Sequence, residues 1–320
     1  MLNLLRLISS AILSPGKKAM NRAEPQKKLL PTFTVDVEDG ISIAMRDSFG
    51  IHINPSNRVL DLTDRILQVY SDNGAKGTFF VLGQIAGHYP EVIKRIEKGG
   101  HELAVHGYNH LLFSKMTPKQ AFQELDRAKK LIEDISGSQV FGHRAPAFSI
   151  NHETKWAFEV LIKCGFTYDS SIMPCKGPHY GWPGFPRTLC SVETKTGSIV
   201  EFPMSVASLF GRNIPALGGS YLRLLPYWLS RSQYLKIQKQ LHPVIYIHPY
   251  ELDDNRYPEF YFEELKKAGF KKNILLRSNW LFRSTVEEKF NSLMKLHGSV
   301  QMWKLITGYV ESEKLETVKL

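Results

Sequence analysis

Two histidines near each other are the side chains of this sequence best suited to binding a metal ion. His106 and His110 end the segment Glu-Leu-Ala-Val-His-Gly-Tyr-Asn-His at 102–110. If the backbone becomes helical after Val105, a spacing of four places both imidazoles on one face, about 5–6 Å apart at Cβ. Two neutral imidazoles and one carboxylate, with positions left open for water, form a catalytic site for Zn²⁺ or a similar divalent ion. Taken alone, the pair also fits a structural role in which His110 caps a helix and His106 packs under a loop. The choice between a metal site and this structural role therefore depends on other segments.

Three acidic residues end another apolar segment, Pro-Thr-Phe-Thr-Val-Asp-Val-Glu-Asp-Gly at 31–40. On a strand, Asp36 and Glu38 face one side and Asp39 faces the other. Acids crowded at the end of a buried strand repel one another and lose hydration, so a cation or an arginine is expected beside them. One acid could then bind metal while another acts as a base. A solvated acidic turn is the alternative for this segment alone.

Two further segments carry one candidate each. Arg144 lies among small and apolar residues in Phe-Gly-His-Arg-Ala-Pro-Ala-Phe-Ser-Ile at 141–150. A buried arginine requires an anionic partner, which the acids of the first segment could supply. His248 follows a β-branched and aromatic run and precedes Pro249. An imidazole there could donate a proton to a leaving amine, since it titrates near neutral pH. Together the four segments predict metal-assisted hydrolysis of an amide.

Strand-like and helical patterns alternate along the chain, which predicts an α/β fold with a mostly parallel sheet or barrel. Such folds gather their chemistry at the carboxyl ends of the strands, where the four segments lie. Thr117 as N-cap, Pro118 at the first helical position and Gly137 after the last turn delimit one helix. The predicted strands are 32–37, 76–82, 102–106, 140–144, 198–203 and 243–248, and the predicted helices are 58–73, 89–98, 117–136, 151–164 and 227–240.

The order of these segments resembles the polysaccharide deacetylase family of the NodB type, carbohydrate esterase family 4. The resemblance runs from about Thr32 to Asp253 and is closest to the Asp-Val-Glu-Asp branch found in exopolysaccharide and surface-glycan loci. It implies an incomplete (β/α) barrel of about seven strands. It also implies removal of an N-acetyl group from an amino sugar of a bacterial surface polysaccharide, oligosaccharide or precursor. Further matching motifs are Gly-Thr-Phe-Phe-Val-Leu-Gly (77–83), Tyr-Asp-Ser-Ser-Ile-Met-Pro (168–174), Glu-Phe-Pro (201–203) and Gly-Gly-Ser-Tyr-Leu-Arg (218–223).

The resemblance also assigns roles to the candidate residues. His106 and His110 match the family's histidine metal ligands, Arg144 matches the arginine that steers the base, and His248 matches the general acid. The first-motif acids would supply the base and a carboxylate ligand. The expected cofactor is a divalent ion, zinc first, with cobalt, nickel or manganese as alternatives.

The first motif departs from the commonest family form, which has two adjacent aspartates before glycine. Aligned by Gly40, the base would be Glu38 and the ligand Asp39. Aligned with the branch resembling peptidoglycan deacetylases and allantoinases, the base would be Asp36 and the ligand Glu38. We favour Asp36 as the base because it shares a strand face with Glu38. Glu38 and Asp39 both remain candidate metal ligands.

Aromatic side chains near the motifs could offer flat faces to sugar rings, although each could equally belong to the core. The predicted substrate-binding residues are Tyr108, Phe148, Tyr221 and Tyr250.

We expect three parts along the chain of 320 residues. Residues 1–28 form an N-terminal segment that allows an interfacial helix, because its apolar run is too short to span a bilayer. Residues 29–255 form the catalytic domain. Residues 256–320 form a helical C-terminal extension of the same domain, with helices at 258–268 and 285–297. The charged stretch Glu311 to Leu320 is expected to fray.

The net charge of +10 does not indicate a nucleic-acid partner, because the basic residues are dispersed and no reading module is recognisable. The same charge would attract an anionic glycan, a lipid-linked precursor or a membrane surface, which allows peripheral membrane association. Three cysteines without metal-like pairing fit a reducing compartment. We therefore expect a cytoplasmic protein, at most at the inner face of the membrane.

Two other function classes remain open from the sequence. One is a cyclic-amide or allantoin-like amidohydrolase on the same scaffold, which a small polar pocket would favour over an aromatic one. The other is a catalytically silent glycan-binding relative, which the loss of a metal ligand would indicate.

Overall fold

The structure is a computed structural model that describes residues 29–177, 180–209, 211–312 and 315–320. The N-terminal segment 1–28, with its predicted interfacial helix, lies outside the described residues. None of the helices found in the described ranges combines the length and apolar character that a membrane crossing requires.

Nine of the eleven strands in the described residues form one sheet, in the order β10-β1-β2-β3-β4-β5-β7-β6-β11. The seven neighbours from β10 to β7 are parallel, whereas β6 runs antiparallel to β7. A separate hairpin pairs β8 with β9. The strands are β1 (Thr32–Val37), β2 (Thr78–Val81), β3 (Glu102–Val105), β4 (Gly142–His143), β5 (Tyr168–Asp169), β6 (Cys190–Thr194), β7 (Gly197–Glu201), β8 (Val206–Leu209), β9 (Arg212–Pro215), β10 (Val244–Ile247) and β11 (Glu316–Lys319).

Helices occupy most of the connections between the parallel strands. The α-helices are α1 (Gly40–Phe49), α2 (Arg58–Asp72), α3 (Gly83–His88), α4 (Pro90–Lys98), α5 (Pro118–Ser136), α6 (Ala157–Lys163), α7 (Gly219–Leu224), α8 (Tyr227–Gln238), α9 (Glu259–Lys267), α10 (Phe270–Arg277), α11 (Val286–His297) and α12 (Met302–Ser312). The 3₁₀ turns are Phe113–Lys115, Pro146–Phe148, His152–Thr154, Pro249–Leu252, Ser278–Trp280 and Arg283–Thr285.

The parallel part of the sheet curls into an incomplete barrel. Arg144, which directly follows β4, reaches Asp36 on β1 although β2 and β3 lie between these strands. Its guanidinium carbon lies 4.0 Å from the centroid of the Phe80 ring and 6.0 Å from that of Tyr246. Such contacts require the strands to wrap around a common interior. The α/β fold with an incomplete barrel of about seven strands is thereby confirmed.

Side chains of the strands are buried on both faces of the sheet. Phe79 packs with the helices outside, whereas its neighbour Phe80 packs inside with Tyr168 and Tyr246. Because both faces are covered, the strand segments read as continuous apolar runs rather than as alternating ones. The polar residues that follow these runs are consequently brought to one end of a dry barrel.

The predicted helix ends agree with the structure at α5. The Thr117 hydroxyl accepts from the backbone of Gln120, Pro118 occupies the first turn, and Gly137 ends the helix with φ 69°. The remaining predicted strands and helices also correspond to observed elements, although segment 151–164 is divided into a 3₁₀ turn and α6.

The helical turn that we considered after Val105 does not form. Residues 106–110 form no helix, and Gly107 (φ 80°) and His110 (φ 57°) adopt left-handed conformations. These two positive φ angles reverse the chain within five residues. The two histidines therefore face each other because of a loop, not because of a helical repeat.

Helix α1, which begins at Gly40 with Asp39 as its N-cap, was not predicted. The expectation that Glu311 to Leu320 frays is wrong for its last residues. Glu316–Lys319 form β11, which pairs in parallel with β6. Backbone hydrogen bonding to an existing sheet edge outweighs the polar composition of this stretch.

The C-terminal segment contains the predicted helices, observed as α9 and α11, and then packs under the barrel. The backbone N–H of Met302 donates to Thr78 Oγ1 at 2.8 Å, and that of Trp303 donates to Glu102 Oε2 at 2.9 Å. These bonds join α12 to the amino-terminal ends of β2 and β3. The domain boundaries at 28 and 255 stay a prediction.

Candidate active site

Polar side chains from four strands meet at the carboxyl end of the barrel. Asp36 lies on β1, Glu38 and His106 directly follow β1 and β3, and Arg144 directly follows β4. These four residues are 0 to 3% exposed. His248, which follows β10, lies beside them. Groups this polar are buried only when they are paired, so the contacts between them define the site.

Glu38, His106 and His110 form a compact group of possible metal ligands. Glu38 Oε1 lies 2.9 Å from His106 Nε2 and 3.0 Å from His110 Nε2. One donor atom from each of the three lies within 4.8 Å of the others. Burial raises the pKa of Glu38, but the facing histidines His110, His248 and His106 lower it well below its usual range, so the carboxylate is ionised. Two imidazoles and one carboxylate are a donor set suited to zinc and related divalent ions.

The tautomer of His106 is set by the protein backbone. Its Nδ1 lies 2.8 Å from the carbonyl oxygen of Arg144, which can only accept, so Nδ1 carries the hydrogen. Nε2, which faces Glu38, is therefore the ring nitrogen available to bind an ion. This is the arrangement in which a metal-binding histidine is held by a hydrogen bond from its other nitrogen.

His110 is held differently. Arg46 Nη2 lies 3.0 Å from His110 Nδ1, and a guanidinium can only donate, so Nδ1 accepts and Nε2 carries the hydrogen toward Glu38. Arg46 also donates to the carbonyl oxygen of Asn109. Binding of an ion through Nε2 would require this hydrogen to leave. The carboxylate of Asp47, 3.8 Å from Nδ1, is available to accept from the other tautomer.

Asp36 is paired with Arg144 inside the barrel. Arg144 Nη1 donates to Asp36 Oδ1 at 2.7 Å and to Thr34 Oγ1 at 2.8 Å. The same guanidinium donates to the carbonyl and the hydroxyl of Ser170, both at 3.1 Å. Four hydrogen bonds fix the plane of the arginine, which in turn fixes one oxygen of Asp36 and leaves Oδ2 directed toward His248.

His248 lies between two carboxylates. Its Nε2 is 4.0 Å from Asp36 Oδ2, and its Nδ1 is 3.0 Å from Glu251 Oε2. Burial lowers the pKa of His248, but Glu38, Glu251 and Asp36 together raise it to about 9. Its ring stacks on Tyr250 with the centroids 4.8 Å apart. With these carboxylates beside it, the imidazole is therefore positively charged at neutral pH.

Asp39 lies outside the group of possible ligands. Its carboxylate accepts from the backbone N–H of Ser42 at 2.8 Å and from Ser56 Oγ at 2.5 Å, and so caps α1. The period of two along a strand does not apply after β1, because the chain enters a helix at Gly40. The structure thus brings Glu38, and not Asp39, to the two histidines.

A cavity of about 370 Å³ opens beside His248. Two of the predicted substrate-binding residues, Phe148 and Tyr250, line it. Tyr221 does not line the cavity, but its hydroxyl lies 3.3 Å from that of Tyr180, which does.

Tyr108, the fourth predicted substrate contact, packs on another part of the domain. Its ring lies under the guanidinium of Arg127, at 3.7 Å, and a Cβ on Gly83 would come within 2.3 Å of it. It therefore packs against α3 and does not line the cavity.

Several residues that support the site were missed from the sequence. Thr34 and Ser170 hold Arg144, Glu251 holds His248, and Arg46 contacts His110. Thr34 could have been found, because it lies two residues before Asp36 on the same strand face. Arg46 carries no such signal, since only the unpredicted helix α1 brings it to the loop of His110.

Comparison with known proteins agrees with this geometry. The polysaccharide deacetylase family profile matches residues 55–168. The chain contains a polysaccharide deacetylase domain. A second profile, described as a domain of unknown function (DUF3473), matches residues 170–307. The resemblance found from the motifs is thereby confirmed.

Curated relatives of this deacetylase domain match over about a third of the chain. A peptidoglycan deacetylase of Helicobacter pylori is 34% identical over 109 residues, which are 34% of this chain and 36% of that protein. The peptidoglycan-N-acetylmuramic acid deacetylase PdaC of Bacillus subtilis is 30% identical over 113 residues, which are 32% of this chain and 24% of that protein. The match therefore spans only about a quarter to a third of the relatives' own length.

One solved structure shares the fold over nearly the whole chain. It is described as that of a candidate polysaccharide deacetylase from Mycobacterium smegmatis. The two chains superpose with a TM-score of 0.60 at 21% identity, covering 96% of this chain and 98% of the other. The likeness extends the common fold through the C-terminal helices.

Proposed function

We propose that this protein is a metal-dependent hydrolase that removes the N-acetyl group from an amino sugar of a bacterial surface glycan or its precursor. The observation that carries the proposal is the group of Glu38, His106 and His110 beside the arginine-bound carboxylate of Asp36. The two relatives described above are named as peptidoglycan deacetylases, which supports deacetylation as the reaction class.

The proposed ligands of the ion are Glu38, His106 and His110. The donor set fits zinc, and cobalt, nickel or manganese are compatible with it. Their buried positions and the fixed tautomer of His106 favour a preformed site. When bound there, a divalent ion activates water and polarises a carbonyl oxygen.

Asp36 is the proposed general base, and Arg144 is its positioning residue. The guanidinium occupies Oδ1 at 2.7 Å, so Oδ2 is the oxygen that remains to accept a proton from the attacking water. The positive charge of the arginine also compensates the negative charge of this buried carboxylate. A fixed base of this kind acts without reorganising during the reaction.

His248 is the proposed general acid. Its Nε2 faces both Asp36 Oδ2, at 4.0 Å, and the cavity, while Glu251 holds Nδ1. In this position Nε2–H can donate to the sugar nitrogen as the carbon–nitrogen bond breaks. Acetate and a free amine are the products. Phe148 and Tyr250 are proposed to contact the sugar, because both line the same cavity.

The compartment and the branch of glycan metabolism are also proposals. The three cysteines are free, which agrees with a reducing compartment, and the net charge of +10 agrees with an anionic glycan or membrane surface. We propose action in the cytoplasm, near the inner face of the membrane, on an exopolysaccharide or its precursor.

The test is an acetate-release assay on N-acetylated oligosaccharides with the purified full chain. Activity should disappear after treatment with a chelator and return when zinc or cobalt is added. Asp36→Asn should abolish acetate release with metal content unchanged, whereas Asp64→Asn, at an exposed surface ion pair, should leave it intact. Ring opening of cyclic amides without acetate release would replace this proposal by an allantoin-like activity. Glycan binding without any turnover would indicate a silent relative.

A further inference from the structure

The C-terminal segment forms one wall of the cavity beside His248, although it carries none of the motifs. The other lining residues come mainly from α1, from α7, from β10 and from the loops after β4 and β10. The volume of about 370 Å³ is of the size of one or two sugar units rather than of a long chain. The wall residues from this segment are Tyr257, Tyr261, Leu276, Asn279, Trp280 and Arg283.

Arg283 lines the cavity but is only 4% exposed, and among the described residues it has no carboxylate within ion-pair distance. Its guanidinium donates to three neutral oxygens, the carbonyl of Asn279 at 2.9 Å, the carbonyl of Asp253 at 3.3 Å and the hydroxyl of Tyr257 at 3.3 Å. The carboxylate of Asp253 is bound instead by Arg58, at 3.0 Å. The positive charge of Arg283 is thus buried without a matching negative charge.

A second buried arginine lines the same cavity. Arg223 is 4% exposed and donates to the carbonyl oxygens of Ser278 and Leu281 at 2.9 and 2.8 Å. Its nearest carboxylate is Glu251, 3.7 Å from Nε, and Glu251 is already bound by the imidazole of His248. Glu251 is therefore the carboxylate that Arg223 shares with His248, and Arg283 has none within ion-pair distance among the described residues.

Arg223 and Arg283 line the same cavity, so their positive charges act on each other. Burial lowers the pKa of Arg223, the charge of Glu251 raises it, and the charge of Arg283 lowers it. Asp47 also lines the cavity, but its side chain is 49% exposed and is bound by Arg46 at 2.7 Å. A buried cation without a counterion is costly, and aromatic rings compensate it only in part.

We propose that this arginine pair binds an anionic substituent, a carboxylate or phosphate, carried by the amino sugar or by the sugar next to it. The inference rests on the proposed function and names its substrate class, an acidic glycan or a phosphorylated precursor. A planar guanidinium pair suits both carboxylate and phosphate oxygens. The net charge of +10 would favour the approach of such a substrate.

The test measures binding, not turnover, with two matched pairs of ligands. The first pair is N-acetylglucosamine linked to glucuronic acid and the same sugar linked to glucose, which differ by a single carboxylate. The second pair is N-acetylglucosamine 1-phosphate and free N-acetylglucosamine. Calorimetry is run on the full chain carrying Asp36→Asn, so that no ligand is consumed. We expect the anionic member of at least one pair to bind tenfold or more tightly, and the pair that shows this identifies the anion.

The variant Arg283→Gln should remove this preference, and Arg223→Gln should reduce it. The matched control is Arg256→Gln, which removes the same charge from the same segment at a side chain that is 71% exposed and does not line the cavity. The control should keep the preference. Thermal unfolding of each variant separates a folding defect from a binding defect.

Equal binding of both members of each pair by the parent chain would overturn the proposal. The proposal would also be overturned if Arg283→Gln weakened the binding of neutral and anionic ligands by the same factor. Arg283 would then only hold the C-terminal segment against the barrel. The outcome is independent of the reaction. An anion preference without acetate release from any substrate would contradict the deacetylase proposal alone, and acetate release without an anion preference would contradict this one alone.

Discussion

The imidazole of His106 donates from Nδ1 to the backbone carbonyl oxygen of Arg144 at 2.8 Å. The backbone N–H of Arg144 donates in turn to the carbonyl oxygen of Val105, the residue before His106. One strand pair therefore sets both the orientation of a proposed metal ligand and the starting point of the side chain that holds Asp36. The two halves of the site are coupled through the main chain.

Because this link runs through the backbone, Arg144→Lys should leave the metal content unchanged while it damages catalysis. A lysine cannot reproduce the four planar hydrogen bonds of the guanidinium, so Asp36 would lose its fixed orientation. We expect kcat to fall by about 100-fold or more. Elemental analysis and acetate-release kinetics check the two parts, with Arg95→Lys at an exposed ion pair as control. Loss of metal in Arg144→Lys would show that the side chain of Arg144 also supports metal binding, contrary to this prediction.

The identity of the carboxylate ligand can be tested by comparing two neighbours. Glu38→Gln should abolish stoichiometric metal binding, because it removes the charge between the two imidazoles. Asp39→Ala should keep the metal and lower the free energy of unfolding by about 1 kcal/mol, the usual cost of losing a helix cap. Metal titration and urea unfolding measure these effects. If Asp39→Ala lost the metal and Glu38→Gln still bound it, Asp39 and not Glu38 would be the carboxylate ligand.

Arg46 should oppose the binding of an ion to His110. Its guanidinium favours the tautomer that has hydrogen on Nε2, and its charge lies next to the ligand. Arg46→Gln should therefore tighten metal binding, by about tenfold on the scale of such outer contacts. A competition titration with a chromogenic chelator measures the affinity, and Arg46→Lys, which keeps the charge, should change it less. Weaker binding in Arg46→Gln would show that Arg46 instead orders the loop.

His101 should make the fold sensitive to acid, at a site remote from the proposed reaction. Burial and the charge of Lys76 lower the pKa of His101 from 6.5 to about 4, and its Nδ1 accepts from the backbone N–H of Gly77. The unfolded chain takes up a proton as the pH falls below 6.5, whereas the folded chain does not until about pH 4. The contribution of His101 to stability is therefore complete above pH 6.5 and is lost as the pH falls through this window.

This loss should be about 2 kcal/mol, after allowance for the partly exposed ring. Other groups titrate over the same range, so the informative quantity is a difference between two proteins. Urea unfolding at pH 7 and pH 4.5 should show a smaller drop in unfolding free energy for His101→Gln than for the parent chain. An identical drop in both would show that the ring is protonated in the folded protein.

Patterns that depend on neighbouring residues predicted most of the fold. Continuous apolar runs marked the parallel strands, and the capping residues of α5 marked its ends. The convergence of His106, Arg144 and His248 followed from one rule, that parallel strands end on the same side of the sheet. The sequence was sufficient there because each residue directly follows its strand.

The sequence was insufficient where the outcome depends on conformations or contacts between distant segments. The left-handed backbone of His110 and the start of α1 at Gly40 are set by packing, so neither the loop between the histidines nor the capping role of Asp39 could be predicted. Arg283 belongs to the same category. It lies outside every recognised motif, and only the folded C-terminal segment brings it to the cavity.

The bonds between α12 and Glu102 limit how far the protein could be shortened. The Glu102 carboxylate accepts hydrogen bonds from Thr78 Oγ1, the Tyr168 hydroxyl and the Trp303 N–H, although burial raises its pKa. A minimal protein cut after the last motif, near residue 255, would remove the Trp303 N–H that donates to Glu102 and the Met302 N–H that donates to Thr78. It would leave the Glu102 carboxylate without one of its hydrogen-bond donors. Any attempt to produce the motif-bearing half by itself should therefore begin by replacing Glu102 with glutamine.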